Sequence, residues 1–289
     1  MGVVNVTPDS FSDGGRWLAA EAAVARGHAL AVAGADIIDV GGESTRPGAQ
    51  RIPAAEELRR VLPVVTELAA AGLCVSVDTM RAEVAGQALA AGAAMVNDVS
   101  GGLADPDMTG VLAGAGVPVV VNHWRGHSED MYGKAVYDNV VADVRTELSL
   151  RVADLVDGGV DPGQVIVDPG LGFAKHAEHN WALLASLPAV SRLEVAGAPF
   201  PVLVAASRKR FLGRLLAGAD GEPRSFTGSD DATVAVTALA AAAGAWCIRV
   251  HEVPANADAV RVAARWQEAA AGQAGGAGGQ GRVGGLKDD

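Results

Sequence analysis

One unit recurs along the chain and restricts what it can fold into: a small-residue turn followed by a short apolar run. The copies read AGADIIDV, AGLCVSVD, AGAAMVND, AGVPVVVN, GGVDPGQVIVD, AGAPFPVLVA and AGAWCIRV, seven in all. Each carries a glycine just after a helix-like stretch (Gly34, Gly72, Gly92, Gly116, Gly159, Gly197, Gly244). A residue able to enter the left-handed region is what ends a helix there. The opening run GVVNV supplies an eighth strand. Between the runs lie helical patterns, such as residues 54–71 and 137–156, with apolar residues recurring every three or four positions.

The strand runs read as apolar on both faces, which suits a parallel sheet covered by helices. Eight such units between residue 2 and residue 266 fit the α/β class and a (β/α)8 TIM barrel of roughly 250 residues. A doubly wound open sheet is the second fold compatible with the pattern. The expected organisation is a single barrel domain over residues 1–267, followed by a disordered Gly-rich tail over 268–289 that includes AGQAGGAGGQGRVGG.

Composition narrows the function. With 34 acidic residues against 23 basic ones and a formal net charge of -11, the surface does not suit nucleic acid or an anionic membrane. The longest uncharged run, residues 232–248, contains Gly244 and falls short of the roughly 20 residues a membrane helix needs; it reads as helix, turn, buried strand. The N-terminus shows no basic segment followed by a long apolar one, so a cytoplasmic location is expected. Cys74 and Cys247 sit in apolar segments and read as small buried hydrophobes.

In a barrel of this kind the site lies at the C-terminal ends of the strands. The runs here end in Asn5, Gly41 to Ser44, Asp78, Asn97 with Asp98, Asn122 with His123, Asp168, Ser207 to Lys209, and Arg249 with His251. Any one of these could simply cap the next helix; eight converging at one rim favour a site. Basic groups gather at the last two strands (Arg208, Lys209, Arg249, His251), where barrels commonly hold phosphate. Bases at a helix start oppose the helix dipole and so suggest an anionic ligand. Asp78, Asn97 and Asp168 follow apolar residues and are expected on a pocket floor. A flat heterocycle with adjacent N–H donors, such as a pterin, would satisfy these groups. The loops 6–15 and 41–53 are long enough to act as lids, with Arg46 able to clamp an anion. The pairs His123/His127 and His176/His179 are weak metal signals, and neither a GxSxG elbow nor a Walker loop occurs.

Taken in order, NVTPDSFSDGG, GGESTRPG, SVDT, NDVSGG, DPGLGFAK, ASRKRF and RVHE resemble dihydropteroate synthase over residues 2 to about 266. The resemblance implies a cytoplasmic transferase of folate biosynthesis, a sulfonamide target, that condenses a dihydropterin-methyl diphosphate with 4-aminobenzoate and releases diphosphate. It implies pterin contacts from Asp78, Asn97, Asp168 and Lys209, and diphosphate contacts from Thr45, Arg46, Arg249 and His251. It further implies an aminobenzoate pocket with Thr45, Pro47, Phe173 and Ser207, a Mg²⁺ on Asn5, and a homodimer formed through outer helices, for which the Ala-rich helix at 232–243 is available. Asp168, Lys209, Arg46, Arg249 and His251 would carry the catalysis.

Four positions depart from the family's usual pattern. Asn122 replaces a methionine that packs on the pterin, Ala205 replaces a glycine, Arg210 replaces a serine and adds a guanidinium for the aminobenzoate carboxylate, and Met1 stands inside the first strand where the family carries a short leader. Asn122 and Ala205 keep open a catalytically silent pterin-binding paralogue. A folate-dependent methyltransferase of the related barrel type would have no use for the SRK and RVH bases.

Overall fold

The computed structural model describes residues 1–7, 16–44, 51–126, 133–193, 195, 197 and 199–276. Eight strands alternate with helices: β1 (Gly2–Asn5), β2 (Ile38–Gly41), β3 (Val75–Asp78), β4 (Met95–Asp98), β5 (Val119–Asn122), β6 (Val165–Asp168), β7 (Leu203–Val204) and β8 (Cys247–Ile248). The helices are α1 (Arg16–Val32), α2 (Ala54–Ala70), α3 (Ala82–Ala90), α4 (Met108–Ala115), α5 (Val140–Asp157), α6 (Ala177–Leu184), α7 (Leu187–Val190), α8 (Arg210–Leu215), α9 (Asp230–Ala242) and α10 (Pro254–Gly276).

All strand pairs are parallel. β1 to β6 pair in sequence order and β7 pairs with β8. Bridges Val167↔Val202 and Gly2↔Val250 join these two groups at both seams. At the second seam Val3 N–H donates to the Val250 carbonyl and Val250 N–H to the Met1 carbonyl, each at 3.0 Å. The sheet is therefore a closed barrel, and closure rules out the open, doubly wound alternative. No helix among the described residues is long and apolar enough to cross a membrane.

Strand alternation sorts the core into two layers. One set of strand residues, including Val4, Ile38, Val40, Val75, Val77, Val119, Val121, Val165 and Val167, packs outward against the helices. The other set points into the barrel, where Met1, Met95, Val120, Ile166, Leu203, Ala205 and Cys247 form a separate apolar plug. Two residues further along several of the same strands stand Asn97, Asn122, Asp168 and Arg249. The interior is apolar only in its lower part; above the plug the strand interior is polar, which corrects the reading of the strands as apolar on both faces.

The helices cover the outer layer through the expected stripe. In α2 the residues at three- and four-residue spacing, Leu58, Val61, Val64, Val65 and Leu68, are all buried. In α5 Val140, Val144, Leu148, Val152 and Leu155 do the same, and the Asn139 side chain caps the helix by accepting from Ala142 N–H at 3.1 Å. The run 232–248 folds as helix, turn and strand. α10 continues to Gly276, so the expected boundary at 267 falls inside a helix; residues 277–289 lie outside the described residues. Cys247 is buried as expected, whereas Cys74 is exposed, because it precedes β3 on the outside of the turn.

All seven repeat glycines adopt positive φ, between 66° at Gly116 and 106° at Gly92. Two of them separate backbone strain from crowding. At Gly72 (φ 80°) an added Cβ would meet nothing within 4 Å, while at Gly92 (φ 106°) it would lie 2.8 Å from the Ala69 Cβ. Gly72→Ala should therefore cost only the left-handed penalty, about 1–2 kcal/mol, and Gly92→Ala measurably more. Denaturant unfolding of the two variants checks the order; equal losses would contradict it.

Candidate active site

The polar ring opens into a cavity of about 360 Å³ at the C-terminal end of the strands. Asp78, Asn97, Asp168 and Lys209 line it, as do Arg249 and His251, Phe173, Ser207 and Arg210, and Asn5. All the expected site residues that the structure describes thus face one space. Thr45, Arg46 and Pro47, residues 8–15 of the first long loop, and His127 lie outside the described residues.

On one side of the floor a guanidinium joins two strands. Arg249 donates from Nε to Asp39 Oδ2 and from Nη2 to Asp78 Oδ2, both at 2.6 Å. Asn97 Nδ2 donates to the same Asp39 oxygen at 3.0 Å. Asp39 and Asp78 are buried. Burial pushes the Asp78 carboxyl up to about 7; Arg249 opposes the shift and the Asp39 charge adds to it. Burial works against the charge on Arg249, but Asp39 and Asp78 outweigh it and hold its pKa above the usual value.

Opposite stand Asp168 and Lys209. Asp168 accepts from Gly170 N–H at 2.7 Å, and burial still raises its pKa against the pull of Lys209. Lys209 donates to the Leu171 carbonyl, and its Nζ lies 4.8 Å from the centre of the Phe173 ring. Burial lowers the ammonium to about 8, with Asp168 opposing. Gly172 makes this approach possible: at φ 77°, an added Cβ would sit 2.9 Å from Lys209 Cδ.

The three bases of SRKR separate. Arg208 (φ 60°) forms a two-pronged contact with Asp230, 3.1 Å from each prong, and reaches Glu252 at 3.5 Å. It braces β7 against α9 and the segment after β8. Lys209 enters the cavity, and Arg210 starts α8 as an exposed residue at the cavity edge. Ser207, expected beside the second pocket, is engaged with His251: its oxygen lies 3.0 Å from Nδ1 and accepts the His251 N–H at 3.2 Å. Asn122 is also fixed, its Nδ2 donating to the carbonyls of Val99 (3.0 Å) and His123 (3.2 Å). Ala205 belongs to the apolar plug and lines the cavity floor. Asp98 turns away from the ring and accepts from Ser100 N–H, Ser100 Oγ and Gly102 N–H, bracing the turn after β4.

Several groups escaped the sequence reading. Lys175, buried and lining the cavity, places Nζ 2.9 Å from His123 Nδ1 and donates to the Phe173 carbonyl at 3.1 Å. His123 Nε2 lies 2.9 Å from Glu147 Oε2. With the lysine donating to Nδ1, the imidazole carries its proton on Nε2 and donates a hydrogen bond from it to the carboxylate. Burial and Lys175 lower His123 to about 4, so the ring is neutral near pH 7, and both its nitrogens are already engaged. His176 and His179 sit at the start of α6 with ring centres 5.4 Å apart. No cluster of three potential metal-binding side chains occurs among the described residues. Asn5 is half-buried at the end of β1, and its carboxamide has no hydrogen-bond partner among the described residues. The loop after β2 is tied at both described ends: Arg81 pairs with Glu43 at 2.9 Å and with buried Glu57, and Glu43 accepts from Ile52 N–H at 3.1 Å.

Known proteins match this arrangement over nearly the whole chain. A family model described as "Pterin binding enzyme" covers residues 1–251. A dihydropteroate synthase from Mycobacterium leprae (strain TN) is 54% identical over 270 residues, 93% of each chain. Two solved structures of the Xanthomonas albilineans dihydropteroate synthase superpose on it. The one with 4-aminobenzoic acid has a TM-score of 0.83 at 45% identity, covering 94% of this chain and 92% of the other. The one in complex with 7,8-dihydropteroate has a TM-score of 0.80 at 42% identity, covering 94% and 93%.

Proposed function

The chain belongs to the pterin-binding enzyme family, among relatives that are dihydropteroate synthases, and from that membership we propose that its rim cavity joins (7,8-dihydropterin-6-yl)methyl diphosphate to 4-aminobenzoate. The products are 7,8-dihydropteroate and diphosphate, and the step is a transferase reaction of folate biosynthesis. The observation that carries this reading is the convergence of Asp78, Asn97, Asp168 and Lys209 with Arg249 and His251 in one cavity. The same geometry weakens the case for a silent paralogue, since the amide of Asn122 is held by backbone carbonyls.

Asp78 and Asp168 are acceptors for the pterin's N–H edge, with Asn97 and Lys209 meeting its remaining polar atoms. The bond between the exocyclic carbon and the diphosphate oxygen breaks, and its electron pair leaves with diphosphate. Arg249 and His251, joined by Thr45 and Arg46 of the loop after β2, neutralise the charge that develops there. The carbon left behind is a resonance-stabilised cation, which the negative charge of Asp168 favours. The amine nitrogen of 4-aminobenzoate attacks it and then gives its proton to water. No strong base is required, because an aromatic amine is already neutral at pH 7. Phe173, Ser207 and Arg210, with Thr45 and Pro47, are assigned to aminobenzoate; Arg210 offers a guanidinium to its carboxylate.

A Mg²⁺ fits the residues present. Asn5 offers one neutral oxygen with no partner among the described residues, and magnesium typically takes one or two protein ligands while keeping water and substrate phosphate oxygens. When bound there, the ion would screen charge on the leaving diphosphate. A homodimer is supported by the exposed apolar residues Leu239 on α9 and Val262 and Trp266 on α10.

Incubation of the protein with the pterin diphosphate, 4-aminobenzoate and Mg²⁺ should release diphosphate and form dihydropteroate; no release would overturn the reading. Lys209→Ala should weaken pterin binding by about tenfold to a hundredfold, the size of a hydrogen bond to a charged group. Arg208→Ala should leave it within about twofold while costing about 1 kcal/mol of stability from its paired fork, and calorimetric titration beside thermal unfolding separates the two. Pterin affinity should also depend on pH in both directions. Below about 7 Asp78 takes up a proton and loses acceptor capacity, and above about 8 Lys209 gives one up and loses its charge. Affinity is therefore expected to peak between these values, and a flat profile across them would contradict the assignment.

A further inference from the structure

Behind the residues that line the cavity lies a buried carboxylate to which none of these roles is assigned. Asp39 lies in the middle of β2, fully buried, and a single oxygen, Oδ2, receives both Asn97 Nδ2 and Arg249 Nε. Its Oδ1 has no partner among the described residues. Arg249 meets Asp39 and Asp78 with different edges of its guanidinium, Nε for the first and Nη2 for the second.

This division matters because the Nη edge is wanted in two places. In the structure it rests on Asp78, the carboxylate assigned to the pterin. In the reaction it is needed by the diphosphate. The Nε edge faces no such competition. We propose that Asp39 is a positioning residue, a pivot that keeps Arg249 anchored through Nε while its Nη edge passes from Asp78 to the diphosphate. The inference rests on the synthase reading of the site.

Two physical consequences follow. A buried guanidinium stripped of every counterion is strongly unfavourable. With Asp39 in place, the pterin can displace Arg249 from Asp78 without stranding it. Without Asp39, Asp78 becomes the last carboxylate hydrogen-bonded to Arg249 among the described residues, and releasing it is tolerable only if diphosphate arrives to replace it. Pterin and diphosphate both favour the released arrangement, so each should tighten the binding of the other. Asp39 also orients Asn97: a carboxylate oxygen only accepts, so Asn97 must turn its NH₂ toward β2 and leave its carbonyl oxygen for the ligand.

The test is calorimetric titration of the full chain with 6-hydroxymethyl-7,8-dihydropterin, in the presence and absence of saturating diphosphate and Mg²⁺. In the wild type, diphosphate should raise pterin affinity. In Asp39→Asn, affinity for the pterin alone should fall by about tenfold or more, given the cost of unpairing a buried charge, and clearly less when diphosphate is present, so that the ratio of the two affinities widens. The KM for 4-aminobenzoate should stay unchanged. Equal losses in both conditions, or a variant indistinguishable from wild type, would overturn the pivot. Should the variant not fold, the wild type still decides: no gain in pterin affinity on adding diphosphate also overturns it. The outcomes are separable, since a wild type that releases diphosphate with 4-aminobenzoate but lacks the coupling removes only the role of Asp39, whereas a wild type that does neither removes the synthase reading.

Discussion

The arrangement of the site depends on one guanidinium inside the barrel. Arg249 lies at the end of the last strand, yet its partners belong to the second and third. The three meet because the β8–β1 seam closes the sheet and brings the end of the chain beside its beginning. Desolvation makes such a charge costly unless it is paired and hydrogen-bonded, so the strands facing it must supply carboxylates. Asp39 and Asp78 meet that demand, and Asn97 completes the network by bonding Asp39. Much of the polar ring follows from the presence of a largely buried cation inside the barrel.

The second consequence is that the ring is divided by height. Lower inward positions hold Met95, Val120, Ile166, Leu203 and Cys247, and the next inward positions hold Asn97, Asn122, Asp168, Ala205 and Arg249. A period of two along each strand is enough to put an apolar plug below and functional groups above. Burial of the ring above the plug is also what leaves Asp78 and Lys209 with pKa values displaced toward neutrality, against the opposing pull of Arg249 and Asp168.

Much of this could be read from the chain before any coordinates. The glycine at each helix end marks seven turns of one unit, which with the opening strand give eight strands, and the residues that close the apolar runs find the rim. What that reading missed has a common cause. Asp39 stands in the middle of its strand, inside IIDV, and attention to strand ends passes over it. An ionisable residue flanked by apolar ones in a buried strand was the available signal, since such a group must find a partner. Lys175 and Glu147 lie far apart in sequence and meet around His123 only through the fold. Ser207 carries no mark in sequence of its bond to His251, which depends on how β7 and β8 sit side by side.

The acidic character of the chain and its local run of bases reflect the same requirement. Of the three consecutive bases, Arg208 is neutralised by Asp230 and Glu252 at the rim, and its backbone is left-handed. Lys209 then enters the cavity, where Asp168 supports its charge against burial. Positive charge is admitted to this interior where a carboxylate stands ready for it, and each carboxylate that does so is also a candidate acceptor for a ligand. A ligand carrying N–H donors at one end and a diphosphate at the other could satisfy both kinds of partner together.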